Sequence, residues 1–284
     1  MLALEIKNLN KKYKNFQLKN VSFQLEKGYI MGFIGANGAG KTTTLKSILN
    51  MIHIDSGEIK VLDKTFSEHE IEIKQEVGYT IGGVDYYTRS KVKTLTKVVK
   101  RFYTNWDEVA YENYLKKFEL DENKRIVELS AGMKVKYNLA LALSHGAKLL
   151  ILDEPTSGLD PIARDNLLEI FQELVEDGEI SILFSTHITS DLEKCADYIT
   201  FINNGQIINS TEKEEFINTY RLLQGDKSQL DELKDKLISY KITSFGFTAL
   251  IHSIDLDPSI KINSTLPNLE EIMIYFSKKG ENHV

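Results

Sequence analysis

The chain reads as an α/β fold, a mostly parallel sheet with helices on both faces. Three observations predict it. Apolar strand-like runs alternate with helical stretches through most of the first 210 residues. One run, residues 29–34, leads into Gly35-Ala36-Asn37-Gly38-Ala39-Gly40-Lys41-Thr42, with a helical stretch directly behind it. Another, residues 149–152, ends in the paired acids Asp153-Glu154.

Taken in order, residues 2–7 and 20–25 alternate as two strands, and Ile59-Lys60-Val61-Leu62 offers a third after a turn at Asp55-Ser56-Gly57. Tyr13 lies in the basic stretch between the first two. It can stack on a purine face or serve as an ordinary core or surface tyrosine. The Gly35–Thr42 segment fits the phosphate-loop pattern GxxxxGK[ST]. Small residues between a strand and a helix let backbone N–H groups turn inward around phosphate oxygens, and the helix N-terminus adds its positive end. Gly35, Asn37, Gly38 and Gly40 shape that cradle, and Thr43 follows it into the helix. Lys41 is expected to reach the β/γ-phosphates, and Thr42 to offer its hydroxyl to Mg²⁺. ATP with Mg²⁺ is the expected ligand.

A strand ends at Val77-Gly78-Tyr79-Thr80-Ile81 and passes into Gly82-Gly83. From there to about residue 146 the sequence is largely helical. Thr104 is expected to cap a helix with Asp107 three residues on, and Trp106 to pack at its start. The strand 149–152 then delivers Asp153 and Glu154 to the carboxyl edge of the sheet, where parallel sheets hold ligands. Asp153 is expected to hold Mg²⁺, and Glu154 to polarise the attacking water. A helix near 161–176, a strand at 180–184, His187 at the same sheet edge, a helix near 190–196 and a strand pair around Asn204-Gly205 complete this part. Beyond about 211 come helical segments at 211–218 and 227–238, strand-like runs at 239–251 and 260–264, and a last helix at 268–276.

Net charge is −6, which disfavours nucleic acid held by bulk electrostatics. Cys195 is the only cysteine, so no internal disulfide exists, and its helical setting reads as core. The remaining histidines share no metal-ligand spacing. Neither a secretion signal nor an 18-residue apolar run is present, so membrane association is expected through a partner.

Leu129-Ser130-Ala131-Gly132-Met133 resembles the signature loop of ATP-binding-cassette ATPases, Ser157-Gly158-Leu159-Asp160 resembles their D-loop, and His187 their switch histidine. With the phosphate loop and Asp153-Glu154, five motifs stand in family order over residues 1–210. The resemblance implies a phosphate-loop NTPase of this type. Its parts would be a RecA-like core with an antiparallel β subdomain, an inserted helical lobe at about 84–146, and an accessory extension at 211–284. It implies a head-to-tail dimer, with itself or with a second ATPase. ATP would lie between the phosphate loop of one subunit and Ser130 and Gly132 of the other, with Asp160 at the same junction and Tyr13 on the adenine. Ser130 and Gly132 also read, from the residues alone, as an anion site at a helix start. The catalytic set implied is Glu154, His187 and Lys41.

Two departures stand out. Ala131 and Met133 replace a glycine and a glutamine of the usual signature, which is expected to alter the contact without abolishing it. Gly82 stands where the family places a glutamine, and Asp85 is a candidate substitute. The whole chain more weakly resembles ATPase subunits of Gram-positive exporters of small hydrophobic or amphipathic compounds, including toxic peptides. These pair with separate permease chains at the cytoplasmic face of the membrane. A groove beside the lobe, lined by Tyr86, Tyr87 and the 82–90 loop, would receive a permease helix. A soluble ATPase clamp or a nucleotide-gated binding module is the alternative. Lys41 and Leu129 are only 88 positions apart, which leaves no room for the long coiled coil of chromosome-organising members.

Overall fold

The computed structural model describes residues 1–81, 87–257, 260 and 262–277. The chain begins with β1 (Leu2–Lys12) and β2 (Gln17–Glu26), continues through β3 (Ile30–Ile34) and α1 (Lys41–Ile48), and returns in β4 (Ser56–Val61). α2 (Phe66–Glu76) and β5 (Val77–Thr80) follow, then the helices α3 (Val92–Val99), α4 (Glu108–Lys117) and α5 (Ala131–Ser144). Next come β6 (Leu149–Asp153), α6 (Pro161–Val175), β7 (Ser181–Thr186), α7 (Thr189–Cys195), β8 (Tyr198–Asn203) and β9 (Gln206–Glu212). The last part holds α8 (Lys213–Asn218), β10 (Tyr220–Gly225), α9 (Lys227–Leu233), β11 (Leu237–Thr243), β12 (Gly246–His252), β13 (Asn263–Thr265) and α10 (Leu269–Ser277).

The central sheet has the order β5-β6-β7-β3-β8-β9, parallel except for β9, which returns antiparallel from β8. β3, β6 and β7 are buried at every position, which explains their nearly continuous apolar sequences. The alternation of side chains about a strand then sorts the core. Leu150, Leu152, Ile182 and Phe184 join the core cluster that includes α5 and α6, whereas Leu149, Ile151, Met31, Phe33 and Leu183 join the one with β1, β2 and α1. Gly32 lets α7 lie close to β3: a Cβ there would stand 2.3 Å from a Leu192 methyl.

β2-β1-β4 form a separate antiparallel sheet, and β11-β12-β10-β13 a second. The architecture is a RecA-like phosphate-loop core with an antiparallel β subdomain, helical insertions and a small carboxyl-terminal extension. α10 closes back on the core, where Leu269, Ile272 and Phe276 are buried and Phe276 meets Phe201 edge-on at 5.4 Å.

Several local expectations change. α4 is capped by Asp107, whose carboxylate accepts from the Ala110 N–H at 2.9 Å. Thr104 is drawn elsewhere: its N–H and hydroxyl both donate to Gln75 Oε1. α2 and β10 were not anticipated. The segment Glu70-Ile71-Glu72-Ile73 alternates like a strand, yet only Ile73 of this helix is buried. Residues 211–212 belong to β9, and the run 239–251 is two paired strands turning near Phe245.

Candidate nucleotide site

Three adjacent strands of the central sheet, β6, β7 and β3, end together. Ile34 lies in register with Thr186, and Asp153 with Ser185. The loop from Gly35 to Gly40 therefore faces the two acids directly. Gly40 starts α1 at φ 115°, and Gly38 has φ 80°. Both are left-handed conformations that side-chain-bearing residues adopt only at a cost. Gly35 is required by contact instead, because a Cβ would lie 2.4 Å from the Ile202 carbonyl oxygen.

Lys41 is buried and its ammonium is held within the loop, donating to Gly35 O at 2.8 Å. Glu154 Oε1 lies 3.4 Å from the same nitrogen. Glu154 itself sits at φ 51°, an uncommon conformation for a residue with a side chain. Its backbone N–H is fixed by Ser185, whose carbonyl and hydroxyl oxygens accept at 3.1 and 3.0 Å. His187 Nδ1 stands 2.7 Å from Glu154 Oε2. Since a carboxylate only accepts, that contact puts a proton on Nδ1.

Thr42 donates to Asp153 Oδ2 at 2.9 Å, and the Ser185 hydroxyl donates to Asp153 Oδ1 at 2.6 Å. The convergent hydroxyl and carboxylate are hard oxygen donors. They suit Mg²⁺, which takes one or two protein ligands and keeps waters and phosphate oxygens for the rest. Among the described residues no group of three or more His, Cys, Asp or Glu could hold a metal by itself.

Beside these groups lies a cleft of about 680 Å³, lined by Ala36, Asn37, Gly38, Gly40, Lys41, Thr42, Thr43, Glu154, Ser157 and His187, with Asn15 and Phe16 also on its wall and Asp153 outside the lining. Tyr13 is outside the lining and 42% exposed, in the turn closed by its N–H to Phe16 O at 2.7 Å. Phe16, from that turn, is the aromatic that borders the cleft. Ser130, Gly132 and Asp160 are also outside it. Ser130 caps α5 by accepting from Met133 N–H at 3.2 Å, and Asp160 caps α6 by accepting from Ile162 and Ala163 N–H at 3.0 Å each. Gly82 and Asp85 lie outside the described residues, as does Tyr86.

Ser185 and Phe16 escaped sequence reasoning. Ser185 stands two residues before His187, and its role becomes visible only when β7 is paired with β6. A second groove, of about 630 Å³, runs between residues 49–51, α2, β5 and residues 99–103, lined by Met51, Phe66, Ile71, Tyr79, Phe102 and Tyr103 among others. The tyrosine expected there, Tyr87, is 71% exposed and not part of that lining.

A phosphate cradle, a buried lysine and two acids at the end of another strand of the same sheet define a phosphate-loop ATPase. The comparisons narrow this further. The family described as "ABC transporter" matches residues 18–157. The ABC transporter ATP-binding protein YtrB of Bacillus subtilis (strain 168) is 33% identical over 223 residues, 78% of this chain and 76% of that protein. The lantibiotic transport ATP-binding protein SrtF of Streptococcus pyogenes is 36% identical over 74% of this chain and 90% of its own length. The bacitracin transport ATP-binding protein BcrA of Enterococcus faecalis is 27% identical over 98% of this chain and 89% of its own. A solved ATP-binding subunit of an ABC transporter superposes with TM-score 0.68 at 28% identity, covering 75% of this chain and 91% of that one.

The chain belongs to the ATP-binding subunits of ABC transporters. It is an ATP-binding and hydrolysing subunit, Mg²⁺-dependent, that pairs to drive transport through a membrane permease. Association with a permease, a second ATPase subunit or both is typical of such systems. Among the described residues no helix is long and apolar enough to cross a membrane.

Proposed function

We propose that two copies of this chain pair head to tail around ATP and drive export of a hydrophobic or amphipathic compound through a separate permease. The observation that carries the pairing is the division of the site: each chain holds a preformed phosphate half, while Ser130, Gly132 and Asp160 stand outside its cleft. Because one chain carries both halves, a two-fold pair completes two sites at once. The cargo class rests on similarity to relatives named for bacitracin and lantibiotic transport. We assign residues 1–210 to the ATP-binding domain and 211–284 to an accessory extension, and place the chain at the cytoplasmic face of the membrane.

Each residue has a task in hydrolysis. Gly35, Asn37, Gly38, Gly40 and Thr43 border the phosphates, and Lys41 turns from Gly35 O to the β/γ-phosphates. Thr42 and Asp153 would hold Mg²⁺, which supplies charge neutralisation on the phosphate oxygens. Glu154 accepts a proton from the water aligned with the γ-phosphorus. His187, through its 2.7 Å contact, keeps that carboxylate aimed. The partner copy supplies Ser130 and Gly132 to the γ-phosphate and Asp160 to the junction, and Phe16 or Tyr13 covers the base. The groove beside Met51, Tyr79 and Phe102 receives a short permease helix, since Ile71 and Phe102 leave more than 70% of their surface in solvent.

Affinity capture of the tagged chain from detergent-solubilised native membranes, with ATP present, tests this reading. Recovery of a multi-span membrane protein supports it. Recovery of the chain alone, or with soluble components only, contradicts it.

A further inference from the structure

Behind the nucleotide cleft lies a polar cluster that the steps above do not use. Asp191 is on α7, four residues after His187, and is 1% exposed. Arg164, on α6, points its Nε at Asp191 Oδ1 from 3.9 Å, beyond hydrogen-bond range. Thr156, two residues after Glu154, is fully buried, and its hydroxyl favours the charged form of the same carboxylate without completing a hydrogen bond to it. Among the described residues, three buried polar side-chain atoms lack a hydrogen-bond partner: Thr156 Oγ1, Arg164 Nε and Asp191 Oδ2. All three belong to this one cluster.

Buried polar atoms are normally satisfied, and an arrangement that leaves several unmade in one place costs stability. A polar network that is loose in the free protein and closes in the reacting complex accounts for retaining it. The cluster connects the two segments whose relative placement matters. Thr156 and Arg164 flank Ser157-Gly158-Leu159-Asp160, the segment assigned to the junction between copies. α7 follows directly from His187, and its Leu192 is seated against Gly32 of β3. Burial also raises the Asp191 carboxyl above its ordinary range, with Thr156, Arg164, Lys194 and His187 acting in the opposite sense.

We propose that Asp191 is a positioning residue for ATP hydrolysis, tying the Ser157–Asp160 segment through Thr156 and Arg164 to the helix that follows His187, with contacts that shorten when two copies close on ATP. This rests on the roles given above to Glu154, His187 and the pair. Closure of the junction would thereby be transmitted to the histidine that aims Glu154.

The test uses the full chain as Asp191→Asn, which keeps size and shape, with Arg164→Met as the second variant. ATP affinity of the isolated chain, kcat, KM and the urea midpoint are measured for each. The expected result is an ATP dissociation constant within twofold of wild type, kcat at least tenfold lower, and an unfolding midpoint unchanged or raised. A residue that merely supported the fold would lower the midpoint and leave kcat per folded molecule intact. The double variant is expected to be no slower than the slower single variant. A kcat within twofold of wild type in a folded Asp191→Asn chain overturns the proposal; if that variant does not fold, Arg164→Met decides by the same criterion. Persistent hydrolysis by Glu154→Gln, by contrast, would contradict the catalytic roles themselves.

Discussion

The phosphate half of the site and the signature half are built in opposite ways. On the phosphate half, Lys41, Thr42, Asp153, Glu154, Ser185 and His187 hold one another through contacts of 2.6 to 3.4 Å at the ends of three adjacent strands. On the signature half, Ser130 and Asp160 spend their side-chain oxygens capping their own helices. The first half is ready for a ligand within one chain. The second has a stable local structure outside that cleft, as the proposed pairing of two copies requires.

That contrast can be broken at several points. Glu154→Gln should produce the largest effect, a loss of phosphate release of about 10²–10⁴-fold with ATP still bound, as expected when a positioned general base is removed. Retained turnover would remove Glu154 from the chemistry. Ser130→Ala should act on the other half: ATP affinity of the isolated chain stays as in wild type, whereas turnover and its cooperativity in ATP fall. The same change removes the α5 cap and should cost about 1 kcal/mol in a urea titration. Unchanged cooperativity would separate Ser130 from the shared site.

Smaller effects sharpen the comparison by touching neither half. Asp107→Ala should lower stability by about 1 kcal/mol through loss of the α4 cap, with kcat unaltered. His145, stacked on Tyr103 at 3.7 Å and donating from Nδ1 to Gln75 O, is buried, and burial pushes its pKa below the ordinary value. A histidine that is harder to protonate when folded leaves the unfolded chain binding more protons just below about pH 6.5. Its contribution is therefore intact above that pH and is lost as pH falls towards the lowered folded value. Unfolding midpoints of wild type and His145→Gln between pH 5 and 7 should show a flatter profile for the variant; identical slopes would dismiss the effect.

Much of the phosphate half was legible because its residues are consecutive in sequence and stand at strand ends. Gly35–Thr42, Asp153-Glu154 and His187 each announce themselves within a few positions. Ser185 did not, since its bond to Asp153 exists only through the register of β6 with β7. Phe16 was hidden for a related reason: a turn brings it, rather than the tyrosine three residues before, to the cleft wall. In the lobe, Thr104 and Asp107 both suit a cap, and the choice was decided by Gln75, a residue of another helix. α2 was illegible because its isoleucines alternate with glutamates at the spacing of a strand. Residues that act through neighbours distant in sequence leave little local signal, which also holds for Thr156, Arg164 and Asp191.

The central claim is that ATP joins two copies of this chain by completing each phosphate half with the other's signature half. Sedimentation velocity of the purified Glu154→Gln chain, with and without ATP and Mg²⁺, measures this directly. The account predicts a shift from one copy to two when both are present, abolished by adding Ser130→Arg to the same chain. A species that binds ATP and remains a single copy at every concentration would contradict it.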